Sequence, residues 1–209
     1  MRGPDLHEEM ALRAQGYRFI AGLDEAGRGS WAGPVVAGAV ILPLGVPSLA
    51  DDLKGVRDSK QLTPRQRELL YEFIKTKALA VGIGLVPAAQ IDKLGIVPAT
   101  RQAMREAIAQ LSPTPDFLLI DFLSLPTLLI PQKSIANGDS FSLSIAAASI
   151  VAKVSRDRMM VELDKRFPGY GFARHKGYGT PQHRAALRRL GPSPIHRLSF
   201  RPIAELVKP

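Results

Sequence analysis

The chain has 209 residues, about the size of one domain, and its lack of cysteine excludes disulfides and thiolate metal sites and fits a reducing compartment. No stretch is long and apolar enough to span a membrane, and charges spread through residues 1–17 exclude a signal peptide, so we expect a soluble, cytoplasmic protein. The net charge of +9 comes from residues 153–209, which hold 13 Lys and Arg against 4 Asp and Glu; this excess suits a polyanion such as nucleic acid, although a solvated, arginine-rich helical surface explains it equally well.

The first elements are predicted to be two strands and a loop. The apolar run over 18–25, RFIAGLDE, predicts a strand that ends in two carboxylates. The Val- and Ile-rich run over 33–43 predicts a second strand with Gly and Pro at its edges. Because few residues separate the two, we expect a hairpin. Residues 44–62 are polar and punctuated by Pro and Gly, so they are interpreted as a loop.

A helix is predicted after this loop, over TPRQRELLYEFIKTKAL. Thr63 is its predicted N-cap, Pro64 takes the first helical position and Gln66 completes a capping box. The apolar positions that keep helical spacing are Leu69, Leu70, Phe73 and Ile74.

The rest of the chain alternates strands and helices. The predicted elements are a strand over 80–86, a short helix ended by Gly95, a helix over 98–111, a buried, parallel strand over 116–122, a short strand and turn over 133–140, a long helix over 142–167 and a helix over 180–190 capped by Thr180. A hairpin followed by alternation predicts an α/β fold with a mixed sheet covered by helices. A boundary is expected near residue 168, where PGYGF precedes a basic helical tail.

Four acids follow apolar runs or turns beside small residues: Asp24, Glu25, Asp121 and Asp139. In an open α/β sheet, ligand sites form outside the ends of strands. If the strands that end in LDE and LIDF are neighbours, three of these acids meet, and the NGDS turn supplies the fourth. Taken singly, each acid is more simply explained as a solvated strand end, a turn residue or a helix cap.

Clustered carboxylates stay ionised only when cations compensate them. No histidine lies near these four positions, which argues against zinc, whereas an all-oxygen set suits Mg²⁺ or Mn²⁺. Two such ions are the usual device for phosphodiester displacement. Because neighbouring residues of a regular strand point to opposite faces, we expect the first strand to end or bulge at Asp24 and Glu25.

Five motifs in order resemble those of bacterial ribonuclease HII. They are GLDEAGRGSWAGPVVAGAVIL, DSKQLT, FLLIDF, NGDSFSLSIAAASIVAKVSRD and YGFARHKGYGTPQHRAAL, and the resemblance runs from about residue 18 to residue 202. It implies a ribonuclease H-like fold, a mixed five-stranded sheet flanked by helices, with a helical, basic C-terminal part. The implied organisation is an N-terminal extension over 1–17, a catalytic domain over 18–167 and a segment over 168–209 packed on the same domain.

The resemblance also implies an activity. The expected enzyme is an endoribonuclease that hydrolyses the RNA of RNA/DNA hybrids and incises 5′ of single ribonucleotides in duplex DNA, giving 5′-phosphate and 3′-hydroxyl ends. Its expected cofactors are two Mg²⁺ or Mn²⁺ ions. The expected partners are nucleic acids, with no membrane, no obligate protein partner and a monomeric state.

The family's site residues transfer to positions that match its motifs. The four metal-binding and catalytic acids become Asp24, Glu25, Asp121 and Asp139. The turn Gly27-Arg28-Gly29 is implied to meet the 2′-hydroxyl and neighbouring phosphate of the ribonucleotide through its backbone. Tyr178 is implied to lie against the next deoxyribose, where an extra hydroxyl would clash.

Other positions carry weaker expectations. Lys60 is an expected phosphate contact, with a solvated loop lysine as the alternative. Ser140 either reaches a phosphate or begins a helix. His175 and Lys176 are expected to face the duplex, although a histidine there is also explained as a satisfied loop residue. Trp31 is interpreted as core packing rather than stacking on substrate.

The sequence departs from the family pattern in three places. Phe122 follows Asp121 where glycine is usual, Asn137 stands where lysine is usual, and Gln61 stands where a second lysine is common. These departures bear on substrate affinity rather than on the type of reaction. Two alternatives remain: a ribonuclease HIII-like enzyme, disfavoured because only about 17 residues precede the first strand, and a non-catalytic nucleic-acid-binding protein whose carboxylates are structural.

Overall fold

The computed structural model describes residues 3–207, which form five strands and nine helices. The strands are β1 (Ile20–Ala26), β2 (Val35–Ile41), β3 (Ala80–Val86), β4 (Phe117–Asp121) and β5 (Gln132–Ile135). The helices are α1 (His7–Ala14), α2 (Leu49–Asp52), α3 (Pro64–Lys77), α4 (Ala88–Leu94), α5 (Ile96–Ile108), α6 (Leu143–Arg166), α7 (Phe172–His175), α8 (Pro181–Leu190) and α9 (Arg201–Val207).

The strands form one mixed sheet in the order β3-β2-β1-β4-β5. β1, β2 and β3 pair antiparallel, which confirms the predicted hairpin. β4 pairs parallel to β1 and to β5, which confirms that the apolar run over 116–122 is a parallel strand. The predicted α/β class is therefore correct, and the ends of β1 and β4 lie side by side.

Helices cover both faces of this sheet. α5 packs on one face of β1, β2 and β3, and α6 crosses the other face over β1 and β2. Two glycines permit the close approach of α6: a Cβ on Gly22 would lie 2.1 Å from the carbonyl carbon of Ser144, and one on Gly38 would lie 2.5 Å from the carbonyl oxygen of Ala148. The small residues of α6 thus bring its backbone close to the strand that carries Asp24.

The predicted capping box at the start of α3 is confirmed. The Thr63 hydroxyl accepts from the Gln66 amide, and the Gln66 side chain accepts from the Thr63 amide at 2.9 Å. The predicted apolar face is partly wrong, because Leu69 is 65% exposed whereas Tyr71 and Ile74 are buried. The side of the helix that meets the core is therefore rotated towards Tyr71.

Two segments hold structure that the sequence analysis did not predict. The loop over 44–62 contains α2 and a 3₁₀ turn over Ser59–Gln61, each of them too short to show hydrophobic periodicity. The N-terminal extension contains α1, whose Glu9 is fully buried. One oxygen of the Glu9 carboxylate accepts from the Ser142 hydroxyl at 2.6 Å and from the Ser144 amide at 2.9 Å, so α1 caps the start of α6.

The C-terminal segment packs against the end of α6. Its cluster joins Met160 of α6 to apolar residues that follow it, among them Tyr170, Phe172, Leu187 and Ile203. The division of the chain at residues 17 and 167 remains a prediction. No helix in residues 3–207 combines the length and apolar character needed to cross a bilayer.

The free edge of β3 is covered by side chains of α5 and of the turn after it. The Ile83 amide donates to the side chain of Gln110 at 3.2 Å, and that side chain donates back to the Ile83 carbonyl at 2.7 Å. The Leu85 amide donates to the Glu106 carboxylate at 3.2 Å. Backbone groups that would otherwise face outward therefore have partners within the chain.

Candidate active site

The site begins where β1 and β4 stop pairing. Their last paired residues are Leu23 and Ile120, so the next residues, Asp24 and Asp121, lie side by side at the end of the parallel ladder. In a parallel pair, residues in register point to the same face. The expectation that the LDE and LIDF strands are neighbours is therefore confirmed.

The expected end or bulge of β1 at its two acids is wrong. β1 stays paired with β2 in regular register through Ala26, with Asp24 opposite Gly38. Asp24 therefore faces α6, and Glu25 points to the opposite face. The negative charge of Asp121 nonetheless raises the pKa of Glu25, so the two carboxylates are near enough to interact.

Asp24 is a buried carboxylate among other carboxylates. It is 4% exposed, and one oxygen accepts from the Glu25 amide at 2.6 Å. Burial, with the negative charges of Glu25 and Asp121, raises its pKa well above the ordinary value, although a hydrogen bond from Ser149 opposes this. Asp24 is thus held near other charges that only a cation can compensate.

Glu25 has one satisfied oxygen and one that is not. Arg28 lies 3.2 Å from Oε1, whereas Oε2 is buried without a hydrogen-bond partner. Burial raises the pKa of Glu25, and the Arg28 guanidinium opposes this rise. An orphaned buried oxygen next to two aspartates points to a missing cationic partner.

Asp121 and Asp139 are joined through one turn. The Gly138 amide donates to Asp121 Oδ1 at 2.7 Å, so the turn that holds Asp139 is tied to the end of β4. Burial and the charges of Asp58 and Asp121 raise the pKa of Asp139 to about 6. Asp58 is therefore a fifth carboxylate of the site, which the sequence analysis missed.

These carboxylates fit divalent cations by their chemistry. All the donors are oxygens, the negative charges of neighbouring carboxylates raise the pKa of Asp24 and of Asp139, and one oxygen of Glu25 has no partner. Among the residues that the structure describes, no three Asp, Glu or His side chains are already gathered closely enough to hold a metal ion. Charge compensation by an ion would favour drawing them together.

Lys60 and Ser140 lie at the rim of this cluster. Asp58 accepts from the Lys60 amide at 2.9 Å, and the Lys60 side chain is 79% exposed. Burial lowers the pKa of Lys60, but the carboxylates of Asp58, Asp24 and Asp139 outweigh it and raise the pKa. Ser140 is half-buried, with its hydroxyl 3.5 Å from Asp139.

The Gly27-Arg28-Gly29 turn follows β1 directly. Gly27 has φ +93°, and a Cβ there would lie 2.0 Å from the guanidinium of Arg156, so both the backbone angle and the space require glycine. Gly29 is exposed, with no atom within 4 Å of a Cβ. The backbone at Gly29 is therefore open to a ligand, whereas Gly27 is buried against Arg156.

Tyr178 lies on the C-terminal segment, beside cations. Its ring is 39% exposed, with Lys153 Nζ 5.8 Å and Arg156 Cζ 5.7 Å from the centroid. A groove of about 500 Å³ runs past it, lined also by Arg67, Arg174 and Lys176. Tyr178 is thus available to a ligand, in surroundings that favour negative charge.

Lys176 and His175 are less available than expected. Lys176 is half-buried at φ +51° and its ammonium donates to the Ala173 carbonyl. His175 is buried, with one ring nitrogen bonded to the Tyr170 carbonyl and the other accepting from the Gly177 amide. Both of its nitrogens are thus used inside the protein, although the residue also lines the groove beside Tyr178. That His175 faces the duplex stays a prediction.

The structure also shows where Trp31 lies and where the three residues that depart from the family pattern lie. Trp31 packs beside His183 and under Arg184, as the packing interpretation requires. Phe122 and Asn137 both have left-handed backbone angles, at φ 57° and 54°, and Phe122 is 65% exposed. Asn tolerates this conformation, whereas Phe is strained by it. Gln61 closes the 3₁₀ turn that begins at Ser59.

A family model described as ribonuclease HII matches residues 21–203. Among curated relatives, the protein named Ribonuclease HII from Chloroflexus aurantiacus is 56% identical over 202 residues, which cover 97% of this chain and 95% of the relative.

Solved structures share the fold. The ribonuclease H2 of Pyrococcus horikoshii OT3 has a TM-score of 0.76 at 26% identity, covering 90% of this chain and 96% of that one. Bst-RNase HIII in complex with Mn²⁺ has a TM-score of 0.66 at 19% identity, covering 90% and 69%, and supports the fold alone.

Proposed function

The chain belongs to the ribonuclease HII family and is a ribonuclease H, and from this premise we propose that it cleaves RNA in RNA/DNA hybrids and also incises 5′ of single ribonucleotides in duplex DNA, with two divalent ions. The observation that carries this proposal is the arrangement of Asp24 and Asp121 at adjoining strand ends, coupled to Glu25 and Asp139. The products are 5′-phosphate and 3′-hydroxyl ends.

Asp24, Glu25, Asp121 and Asp139 would hold the ions. When bound, two Mg²⁺ or Mn²⁺ ions supply positive charge that activates the attacking water and stabilises the leaving oxygen. The Mn²⁺ complex of Bst-RNase HIII, a protein of the same fold, is consistent with this choice. The orphaned Oε2 of Glu25 and the raised pKa of Asp24 support the same assignment, because each is a cost that a nearby cation removes.

The protein's own residues bind and orient the substrate. We assign the backbone of Gly27-Arg28-Gly29 to the 2′-hydroxyl and its neighbouring phosphate, because glycine permits close approach and the 2′-hydroxyl separates RNA from DNA. We assign the exposed ring of Tyr178 to the next deoxyribose, where it excludes a second 2′-hydroxyl. Lys60, whose ammonium is attracted by the carboxylates, is assigned to a phosphate.

The basic C-terminal segment adds affinity for the duplex. Residues 168–209 hold eight Lys and Arg against one Glu, a net +7 of the chain's +9, and Arg174 and Lys176 line the groove beside Tyr178. Contacts of this kind neutralise phosphates and do not read sequence. The affinity is therefore expected to fall steeply with salt.

The proposal is tested with a labelled DNA duplex that carries one ribonucleotide, next to a long RNA/DNA hybrid and an all-DNA duplex. Each is incubated with Mg²⁺, with Mn²⁺ and with chelator. We expect metal-dependent cutting on the 5′ side of the ribonucleotide and an intact all-DNA control. Cutting of the hybrid alone would leave the ribonuclease H activity in place and remove the roles given to Gly27-Arg28-Gly29 and Tyr178.

A further inference from the structure

His196 and Arg197 are adjacent, buried residues of the C-terminal segment that reach both substrate-reading elements. Their side chains are 2% and 0% exposed. His196 forms a β-bridge with Ala32, and the Arg197 amide donates to the Trp31 carbonyl at 2.8 Å. This dipeptide therefore runs along the chain that leaves the Gly27-Arg28-Gly29 turn.

Arg197 holds the turn through its carbonyls. Nη1 donates to the Arg28 carbonyl at 2.9 Å, and Nε and Nη2 donate to the Gly33 carbonyl at 3.1 and 3.0 Å. In a trans peptide the carbonyl and the following amide point in opposite directions. Because Arg197 draws the Arg28 carbonyl inward, the Gly29 amide is turned outward, to the open side of the turn.

The charge of Arg197 is not needed for an internal ion pair. Within residues 3–207, all of its hydrogen bonds go to backbone carbonyls. Burial lowers its pKa to about 9, which leaves the guanidinium protonated at neutral pH. A rigid fork with five donors suits this task, which a lysine cannot perform, because one ammonium does not hold two separate carbonyls in a plane.

His196 holds Tyr178 through a second histidine. The Ser193 amide donates to His196 Nδ1 at 2.8 Å, which puts the imidazole proton on Nε2. That nitrogen lies 3.0 Å from His183 Nε2, which must accept, so His183 Nδ1 carries the proton and donates to the Tyr178 carbonyl at 3.0 Å. Every hydrogen bond in this chain therefore donates in the same direction, from the Ser193 amide at one end to the Tyr178 carbonyl at the other.

Both histidines stay neutral in this chain. Burial lowers the pKa of His183 and that of His196 to about 4, and the charge of His175 lowers both further, as the charge of His183 does for His196. Protonating His183 would place two N–H groups face to face at 3.0 Å, and protonating His196 would set its Nδ1–H against the Ser193 amide at 2.8 Å. Neutral tautomers are thus maintained throughout the range in which the protein would act.

We propose that His196 and Arg197, with His183, are positioning residues that fix the separation between the Gly27-Arg28-Gly29 turn and Tyr178. This rests on the proposed function, in which the turn reads a 2′-hydroxyl and Tyr178 reads the sugar one step along the same strand. Because the turn and Tyr178 are assigned to neighbouring nucleotides, they can contact both at once only if the distance between them is constant. The dipeptide keeps this separation constant, because Arg197 holds the Arg28 carbonyl directly and His196 holds the Tyr178 carbonyl through His183.

Paired substitutions of the histidines test the link. His183→Asn keeps an amide donor where Nδ1 lies, towards Tyr178, but loses the acceptor for His196. His183→Gln keeps an acceptor where Nε2 lies and loses the donor to Tyr178, so each variant breaks one bond of the chain. His196→Gln keeps the donor to His183, and His196→Asn loses it. The measured quantity is the ratio of kcat/KM on the single-ribonucleotide duplex to kcat/KM on the RNA/DNA hybrid, with the melting temperature of each variant.

We expect His183→Gln, His183→Asn and His196→Asn to lower this ratio about 10-fold, and His196→Gln, which keeps both bonds from His196 to Tyr178, to stay within about threefold of the unmodified protein. Arg197→Lys is expected to reduce the fraction of cuts made at the 5′ side of the ribonucleotide, because it keeps the charge and loses the fork. An equal loss on both substrates, an unchanged ratio in folded variants, or unfolding of all three link-breaking variants would overturn the proposal. Failure of the unmodified protein to cut the single-ribonucleotide duplex would instead contradict the proposed function.

Discussion

Asp24 and Asp121 occupy the first positions beyond the parallel pairing of β1 and β4, so the charge of Asp121, nearly 100 residues away in the chain, raises the pKa of Asp24. The sheet order makes this meeting unavoidable, since β4 inserts beside β1 and ends in the same register. Keeping these carboxylates ionised costs free energy in the absence of cations, and bound cations offset that cost. The first two expectations follow from that balance.

Asp24→Asn and Asp139→Asn are each expected to lower kcat on an RNA/DNA hybrid by at least about 10³-fold. The reason is that a lost carboxylate weakens ion binding, which supplies several kcal/mol of transition-state stabilisation. Hybrid binding, measured by fluorescence anisotropy at constant salt, should persist. Glu162→Gln is a suitable control, because its ion pair with Lys165 is exposed. Full activity in either aspartate variant would remove that residue from the ligand set.

The metal-free protein is expected to lose stability as the pH rises. Asp139 has an ordinary pKa of 3.8 that the fold raises to about 6, so between these values the folded state keeps a proton that the unfolded chain has released. The contribution of Asp139 to the stability of the folded state is therefore fully present below about pH 4 and is lost as the pH rises through about 6. Melting temperatures in chelator should show this slope.

Asp139→Asn cannot titrate and is expected to flatten part of that slope, whereas Glu162→Gln should retain it. Adding Mg²⁺ or Mn²⁺ at neutral pH should raise the melting temperature, because binding to the folded state stabilises it. An aspartate variant with the same slope as the unmodified protein would show that Asp139 is not the titrating group.

Tyr178→Ala is expected to reduce incision at a single ribonucleotide by about 10-fold or more, with a smaller loss on the hybrid. The ring, rather than the hydroxyl, is assigned to the deoxyribose, so Tyr178→Phe should keep most of the activity. The measurement is kcat/KM on both substrates for both variants. If Tyr178→Phe is as impaired as Tyr178→Ala, the contact is a hydrogen bond and not one of shape.

Phe122→Gly is expected to stabilise the protein by about 0.5–1 kcal/mol. Phe122 has φ 57°, a backbone angle at which a side chain costs about 1–2 kcal/mol, and glycine removes this cost. About half of the gain is lost again, because glycine loses more backbone entropy on folding. Phe141→Gly is the matched control, since Phe141 is also exposed but has φ −119°. Urea unfolding should show opposite shifts in midpoint for the two variants. Shifts in the same direction would mean that backbone strain is not the cause.

Glu9→Ala is expected to lower the free energy of unfolding by about 3 kcal/mol, because it leaves buried donors of Ser142 and Ser144 without an acceptor. The neighbouring Glu8→Ala removes only an ion pair with the half-exposed Lys133 and should cost less than about 1 kcal/mol. Denaturant unfolding of the two variants measures the difference. Equal losses would place the contribution of α1 elsewhere than in its cap on α6.

The sequence could predict the elements whose signals are local. The capping box at Thr63 and the apolar run before Asp121 are read directly from neighbouring residues, and both are confirmed. The meeting of Asp24 with Asp121 was predictable because parallel strands end at one edge. The assignment of these acids as metal ligands remains a prediction.

Other features depend on contacts between distant segments. α1 is stabilised by Glu9, whose partners lie more than 130 residues away. Asp58 enters the site only because the 3₁₀ turn after it packs beside the turn that holds Asp139. The inward orientation of His175 follows from the Tyr170 carbonyl, which no periodicity shows. In each case the missing information is tertiary rather than local.

The side chains that cover the free edge of β3 also determine what cannot bind at that edge. Strand addition recruits an extended peptide through unpaired donors and acceptors at a sheet edge. At Ile83 and Leu85 those groups are already engaged by Gln110 and Glu106. An incoming peptide would have to displace both side chains before its first ladder bond could form. This edge of the sheet is thereby protected from non-specific pairing with other strands.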